Sequence, residues 1–540
     1  MTNPQERRWN ANDDDKRPLV DEKYPIYDSI HFRTQRPSSH RRASRPDTHA
    51  TAPWEPSPSP PPRAWWSLRA MLILTTFAGL SLGLTWAIAV AGSTNSGIGD
   101  FIDARDAHER GVDAIPLEQL WAQYSPFFPV ERYTGPPHGC EITQANILQR
   151  HGARYPTTGA AMMIVSAVSK LLNVKDDVQD PKLAFLKSYE YDLGTDDLVP
   201  SGAQQSFSAG EIAFKRYAKL ISTDNLPFVR ASESDRVILS ATNWTAGFSE
   251  ASNAHYNPVL SVIISEADGA NNTLDDNNCP AAEGSDEQTS KWISVFAPPI
   301  TKRLNEEAPG ANLVDQEIYA LLSLCAFDTV AHSLDGKYKD NHGHSPFCGL
   351  FTREEFEDFE YVGDLDKFYN TGYGNPLGPV QGVGYVNELL SRLTSTPVQD
   401  STQVNHTLDS SPITFPLNRT VYADFSHDNQ MIPIYATIGL FKQPAALSPE
   451  VPNENRTWRA SQLVPFAARM VVEKLECKTK RRFGHGKEEF VRIFVNDALQ
   501  PLEFCSRHGP GTGLCALDTF VESQSYARNN GKGDFERCFQ

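Results

Sequence analysis

The chain has no basic surplus. Its 50 lysines and arginines face 67 aspartates and glutamates, a formal net charge of −17. That balance argues against a nucleic-acid partner, which would require a basic surface, but it leaves room for a locally basic cleft. Cysteine is missing from the first 139 residues: all eight (Cys140, Cys279, Cys325, Cys348, Cys477, Cys505, Cys515, Cys538) follow. The five N-x-S/T sequons, at Asn243, Asn271, Asn405, Asn418 and Asn455, lie on the same side. Motifs for nucleotides and metals are lacking too. Gly484-His485-Gly486-Lys487 lacks the P-loop's leading glycine spacing, and no carboxylate spacing turns His342-Gly343-His344 into a zinc site. No metal and no cofactor is expected.

Residues 1–69 are poor in aliphatics, rich in Pro, Ser, Arg and Asp, and end in PWEPSPSPPPR; they read as a disordered tail. Charge is then absent from Ala70 to Gly92. At ~1.5 Å per residue this run spans a ~30 Å hydrocarbon core, and Trp65, Trp66 and Arg69 sit where interfacial anchors belong. Ala89-Val90-Ala91 resembles a signal-peptide cleavage site, but the preceding tail is too long for an ordinary n-region. An uncleaved signal-anchor is the expectation. One-sided cysteines and sequons put the following region in an oxidising, glycosylating compartment, and the Arg-bearing tail in the cytosol. The expected protein is thus a single-pass type II membrane glycoprotein, its catalytic part extracellular or lumenal, or secreted if the span is cleaved. Residues 93–118 read as a stalk and 119–540 as the catalytic region, mostly helical between about 180 and 350.

The stretch that organises the rest is Gln149-Arg150-His151-Gly152-Ala153-Arg154-Tyr155-Pro156-Thr157. Ile147-Leu148 ends an apolar, strand-like run. Thr157 or Thr158 can cap a helix whose apolar residues Ile164, Val168, Leu171 and Leu172 recur at helical spacing. Two arginines flank a histidine on this turn. Guanidinium forks fit phosphate oxygens, a helix N-terminus adds orphan N–H groups, and a neutral imidazole can attack phosphorus. A second copy, Arg507-His508-Gly509, lacks the following arginine and reads as a loop. Tyr422-Ala423-Asp424-Phe425-Ser426-His427-Asp428-Asn429 repeats the strand–turn–helix context. Ser426 or Asp428 would serve as a mere N-cap in isolation; beside the first motif, Asp428 is a candidate proton donor to a leaving alkoxide.

RHGARYPT resembles the signature of the histidine acid phosphatases, and specifically their fungal phytase branch. The resemblance continues through FVRASESDRV (Phe228 to Val237), NTLDDNNCP (Asn272 to Pro280), GNPLGPVQGVGYVNELL (Gly374 to Leu390) and NHTLDSSPITFPLNRTVYADFSHDN (Asn405 to Asn429). It covers the chain from about Gln119 onward. It implies a phosphoglycerate-mutase-like α/β sandwich with an inserted, mostly helical subdomain overhanging the cleft. It implies His151 as nucleophile, Asp428 as acid, and Arg150, Arg154, Arg230 and His427 as phosphate ligands, with Lys367 near the substrate rim. It also implies disulfides Cys140–Cys477, Cys279–Cys538, Cys325–Cys348 and Cys505–Cys515. The expected activity is phosphomonoester hydrolysis, phytase-like, at acidic pH through a phosphohistidine. A broad-specificity acid phosphatase and a non-catalytic membrane-anchored binding glycoprotein are the alternatives. A cytosolic mutase-type relative fits the cysteines and sequons poorly. Fungal phytases often carry lysines shortly after this signature, whereas here Thr158 to Met163 has none and the next is Lys170. Phosphate esters are the expected partners.

Overall fold

The computed structural model describes residues 115–481, 484–508 and 513–540. The expected tail, the apolar run 70–92 and nearly all of the stalk lie outside the described residues. Among those described, no helix is long and apolar enough to cross a membrane.

One eight-stranded mixed sheet organises the fold. Strands β1 (Cys140–Arg150), β2 (Phe228–Ser232), β3 (Leu260–Ile264) and β4 (Val421–Ser426) run parallel in the order β3-β2-β4-β1. The sheet continues antiparallel through β5 (Arg469–Arg481), β6 (Gly484–Val495) and β7 (Ala498–Leu499), with β8 (Cys515–Ala516) paired to β6. β2 and β4 are buried along their whole length, and so is β1 from Gln144 onward, because helices cover both faces of the parallel part. Helices α2 (Pro200–Tyr217) and α3 (Asp235–Ala251) cover one face, where Ala209, Ala213, Trp244 and Phe248 meet Ile147, Val229, Ala423 and Phe425. On the other face lies a larger core built with α1 (Thr158–Asn173), α4 (Asp286–Glu307), α5 (Asp315–His332), α6 (Arg353–Asn370), α7 (Val383–Thr394) and α9 (Asp428–Ile438). Between α7 and α9 sits the short α8 (His406–Asp409).

Residues 180 to 350 are mostly helical, as expected, but they are not one insert: α2, β2, α3 and β3 fall inside that range and belong to the sheet layers, and α4 and α5 follow them. FVRAS and LSVII are five-residue strands, too short for a period-two signal to stand out between long helices.

The cysteines form four disulfides, Cys140–Cys477, Cys279–Cys538, Cys325–Cys348 and Cys505–Cys515, the same pairs the resemblance implies. All five sequon asparagines are at least partly exposed.

Candidate active site

β1 and β4 are hydrogen-bonded neighbours, with Arg150 opposite Ser426. Their carboxyl ends therefore deliver the two strand–turn–helix motifs to one place, where ligands bind in open α/β sheets. The His151 amide donates to the Ser426 carbonyl at 3.0 Å, stitching the motifs directly. The turn after His151 is tight: a Cβ on Gly152 would lie 2.1 Å from the Gly202 carbonyl oxygen. Only glycine lets the first turn of α2 approach so closely, which accounts for the residue after the histidine.

His151 is buried. Its Nδ1 lies 2.8 Å from the Gly152 carbonyl, which can only accept, so the proton sits on Nδ1 and Nε2 keeps its lone pair. Burial first, and then Arg150, Arg236, Arg154 and His427, push its pKa well below the ordinary value. The imidazole is thus held neutral to lower pH than a free histidine, with Nε2 open.

The arginines around it are poised rather than spent. Arg150 donates to the Val464 carbonyl at 2.6 Å, stacks 4.6 Å over Phe466, and sits 3.2 Å from Asp428 Oδ2. Arg154 donates one bond, to the Tyr155 carbonyl at 2.8 Å. Arg236, at the start of α3, reaches His427 Nδ1 at 3.4 Å. Buried N–H groups on all three have no hydrogen-bond partner: Nε of Arg150, Nε of Arg154 and Nε of Arg236, while Nη2 of Arg150 has only the ion pair with Asp428. Buried donors left open cost about 1–3 kcal/mol each, and an anion would satisfy them.

Arg230, expected as a phosphate ligand, lies elsewhere. It sits in the middle of β2 opposite Asp424 of β4, fully buried. It donates to Asp424 Oδ1 at 2.8 Å and to Glu388 Oε2 at 2.6 Å, while Arg392 binds the other Asp424 oxygen at 2.5 Å. Burial alone would raise the Asp424 carboxyl, but these two arginines bring it down to about 2. Arg230 is a core ion-pair residue; the third arginine beside His427 and in the field of His151 is Arg236. The sequence did hold a usable signal. FVRAS is strand-like, whereas Arg236 follows the strand at a helix start, in the same topological position as Arg154 and Asp428.

Lys367 also departs from expectation. It is buried on α6, not on a rim, and its ammonium binds Asn429 Oδ1 at 2.6 Å, Asp428 Oδ2 at 2.9 Å and Asp366 Oδ2 at 3.0 Å. Its charge therefore acts on Asp428 inside the site. Burial would raise Asp428, but Arg150, Lys367 and His151 hold it well below the usual carboxylate range.

His427 stands with its ring centroid 5.7 Å from that of His151. Its Nε2 lies 2.9 Å from Glu266 Oε1, a partner that sequence reasoning missed because Glu266 follows a short strand without any motif. Burial would raise Glu266, but His427, Ser232 and Ser234 take it down to about 2. Asp275 is pushed up to about 6, by burial and then by Asp276, while His427 opposes the rise. Ligand atoms of Glu266, Asp275 and His427 all lie within 4.8 Å of one another, close enough to share a cation.

The family model of the histidine phosphatase superfamily (branch 2) matches residues 141–496. Phytase A of Aspergillus fumigatus is 42% identical over 451 residues, covering 80% of this chain and 93% of that protein. Phytase A of Emericella nidulans is 41% identical over 445 residues, covering 79% and 92%. Among solved structures, the phytase from D. castellii superposes with a TM-score of 0.63 at 23% identity, covering 78% of this chain and 89% of that one. The Bifidobacterium longum multiple inositol polyphosphate phosphatase, in complex with phosphate, gives 0.56 at 15% identity, covering 76% and 98%.

Proposed function

This chain belongs to branch 2 of the histidine phosphatase superfamily and is a phytase-like phosphoric monoester hydrolase, and on that premise we propose how its residues carry the reaction. The observation that carries the proposal is the set of buried, unpartnered guanidinium N–H groups around a neutral, singly committed imidazole. Arg150, Arg154, Arg236 and His427 hold the phosphate and match the charge on its equatorial oxygens. Nε2 of His151 attacks phosphorus, the P–O(alkyl) bond breaks, and a phosphohistidine forms. Asp428 delivers a proton to the departing oxygen. In the free site its carboxyl is held ionised; bound phosphate brings negative charge against Arg150 and raises the carboxyl, so that it holds that proton when needed. In the second step the Asp428 carboxylate takes a proton from water, which attacks the phosphohistidine and frees His151.

Inositol polyphosphates are the substrate class this reading favours, given the Phytase A relatives. The test is rapid acid-free quenching with labelled substrate. Wild type should trap one acid-labile phosphate on His151, and His151→Ala should trap none and turn over nothing. Turnover by the variant would refute the assignment.

The membrane reading rests on the uncharged run 70–92 and on the one-sided cysteines and sequons. It makes the protein a type II single-pass glycoprotein with its catalytic region lumenal or extracellular. Protease added to intact microsomes should trim the tail and spare a glycosylated catalytic region; digestion of the catalytic region instead would reverse the orientation.

A further inference from the structure

Away from the cleft, α5 ends on a group of residues that the reaction does not use. Asp328 and His332 lie one turn apart on the same face, and the loop before α2 brings Asp192 to them. We propose that Asp192, Asp328 and His332, with Asp335 orienting the imidazole, form a binding site for one divalent transition-metal ion of the zinc class.

The orientation of His332 comes first. Asp335 Oδ2 lies 2.7 Å from its Nδ1, which holds a proton there and turns Nε2 toward the other two carboxylates. This carboxylate–histidine arrangement is the usual support of a metal-bound imidazole. Nε2 then lies 3.2 Å from Asp192 Oδ1 and 3.5 Å from Asp328 Oδ1. Tetrahedral bonds of about 2.0–2.1 Å separate adjacent ligand atoms by about 3.3–3.4 Å, so these two separations are close to those around a bound ion, and all three ligand atoms lie within 4.8 Å of one another. An imidazole among the donors favours a borderline metal over calcium or magnesium, which prefer oxygen alone.

A second observation is independent of that spacing. The Asp328 side chain is fully buried, and its Oδ2 accepts from Tyr338 at 2.7 Å and Ser345 at 2.6 Å. Oδ1, aimed at His332, accepts no hydrogen bond. A buried carboxylate oxygen without a donor is expensive, and a cation would remove that cost. The buried hydroxyls of Tyr189 and Tyr191 are also unpartnered and lie within the field of both Asp192 and Asp328. A cavity of about 330 Å³, lined in part by Tyr189, Asp192, Lys337 and Tyr338, opens on the Asp192 side of the cluster.

Lys337 competes for two of the three ligands. Its ammonium is 3.0 Å from both Asp192 oxygens and 3.1 Å from His332 Nε2, and it leaves Asp328 Oδ1 without a donor. Its side chain is about one-third exposed and can swing into solvent when a metal enters. The ion would brace a loop that leads to the active site. Four residues after Asp192, Asp196 accepts from the amide and hydroxyl of Thr158, and the Tyr155 amide bonds Asp197.

Cobalt(II) titration of the full chain tests the site, because tetrahedral cobalt absorbs in the visible. Wild type should show one saturable, absorbing equivalent that zinc displaces. His332→Ala should lose it, and Asp335→Asn should weaken it about 10–100-fold. Lys337→Ala should bind more tightly, since the competing ammonium is gone. Absorption that persists in His332→Ala, as for an ion held by His427, Glu266 and Asp275, would overturn the proposal. So would the absence of saturable binding in both wild type and Lys337→Ala. If circular dichroism shows His332→Ala unfolded, Lys337→Ala decides: unchanged affinity there also overturns it.

Discussion

Two arginines six residues apart should fail in opposite ways. Arg230→Met removes a guanidinium that donates to both Asp424 and Glu388 in the core, leaving Glu388 without its ionic partner there and Asp424 with Arg392 alone. Breaking a buried ion cluster on one side costs about 3–5 kcal/mol, because an uncompensated charge stays buried. With an unfolding entropy of about 2.1 cal/mol/K per residue, about 0.9 kcal/mol/K for the catalytic region, Tm should fall by about 3–6 °C. Residual folded enzyme should keep its KM. Arg236→Ala removes a cation that repels Arg150, Arg154 and protonated His151, so Tm should hold or rise. Its loss to the phosphate is a charge-assisted bond worth about 1.5–3 kcal/mol, or roughly 10- to 150-fold in kcat/KM. The sign on His151 is also fixed: Arg236 lowers its pKa, so the variant's imidazole protonates at higher pH and the acid limb of kcat/KM moves upward. The assays are scanning calorimetry and pH-resolved kinetics on an aryl phosphate and on phytate. If Arg230→Met kept its Tm and lost activity as Arg236→Ala does, the division between core and phosphate arginines would be wrong.

Lys367→Met should raise the Asp428 carboxyl, since Lys367 helps depress it, and extend the alkaline limb of kcat/KM to higher pH; an unmoved limb would show that another group is the acid. Asp428→Asn should lose more rate on alkyl than on aryl phosphates, and equal losses would leave it a positioning role. Ala160→Lys with Met162→Lys, at the lysine-free opening of α1 where Met162 is well exposed, should lower KM for phytate at low salt. Each exposed pairing is worth ~0.2–1 kcal/mol, so the gain is about two- to thirty-fold and fades as salt is raised; no gain would mean that this stretch does not face substrate.

Local chemistry made the central turn legible from the chain alone. A nucleophile, two arginines and a helix start compressed into RHGARYPT need only one strand–turn–helix to be aligned, and SHDN repeats the device. The pairing of those two turns was readable too, because each follows a buried run that demands a sheet neighbour. What a charged residue far from these turns does was not readable. Whether an arginine serves phosphate or a buried carboxylate depends on which element faces it: Arg230 and Asp424 meet only through the register of β2 with β4. Lys367 likewise needed the packing of α6 against the start of α9 before its charge could be assigned to Asp428. Glu266 behind His427, and Asp192 beside Asp328 and His332, are separated in sequence by more than a hundred residues. Local pattern carries no information about such partners, because charge acts through space and chain folding alone sets those distances.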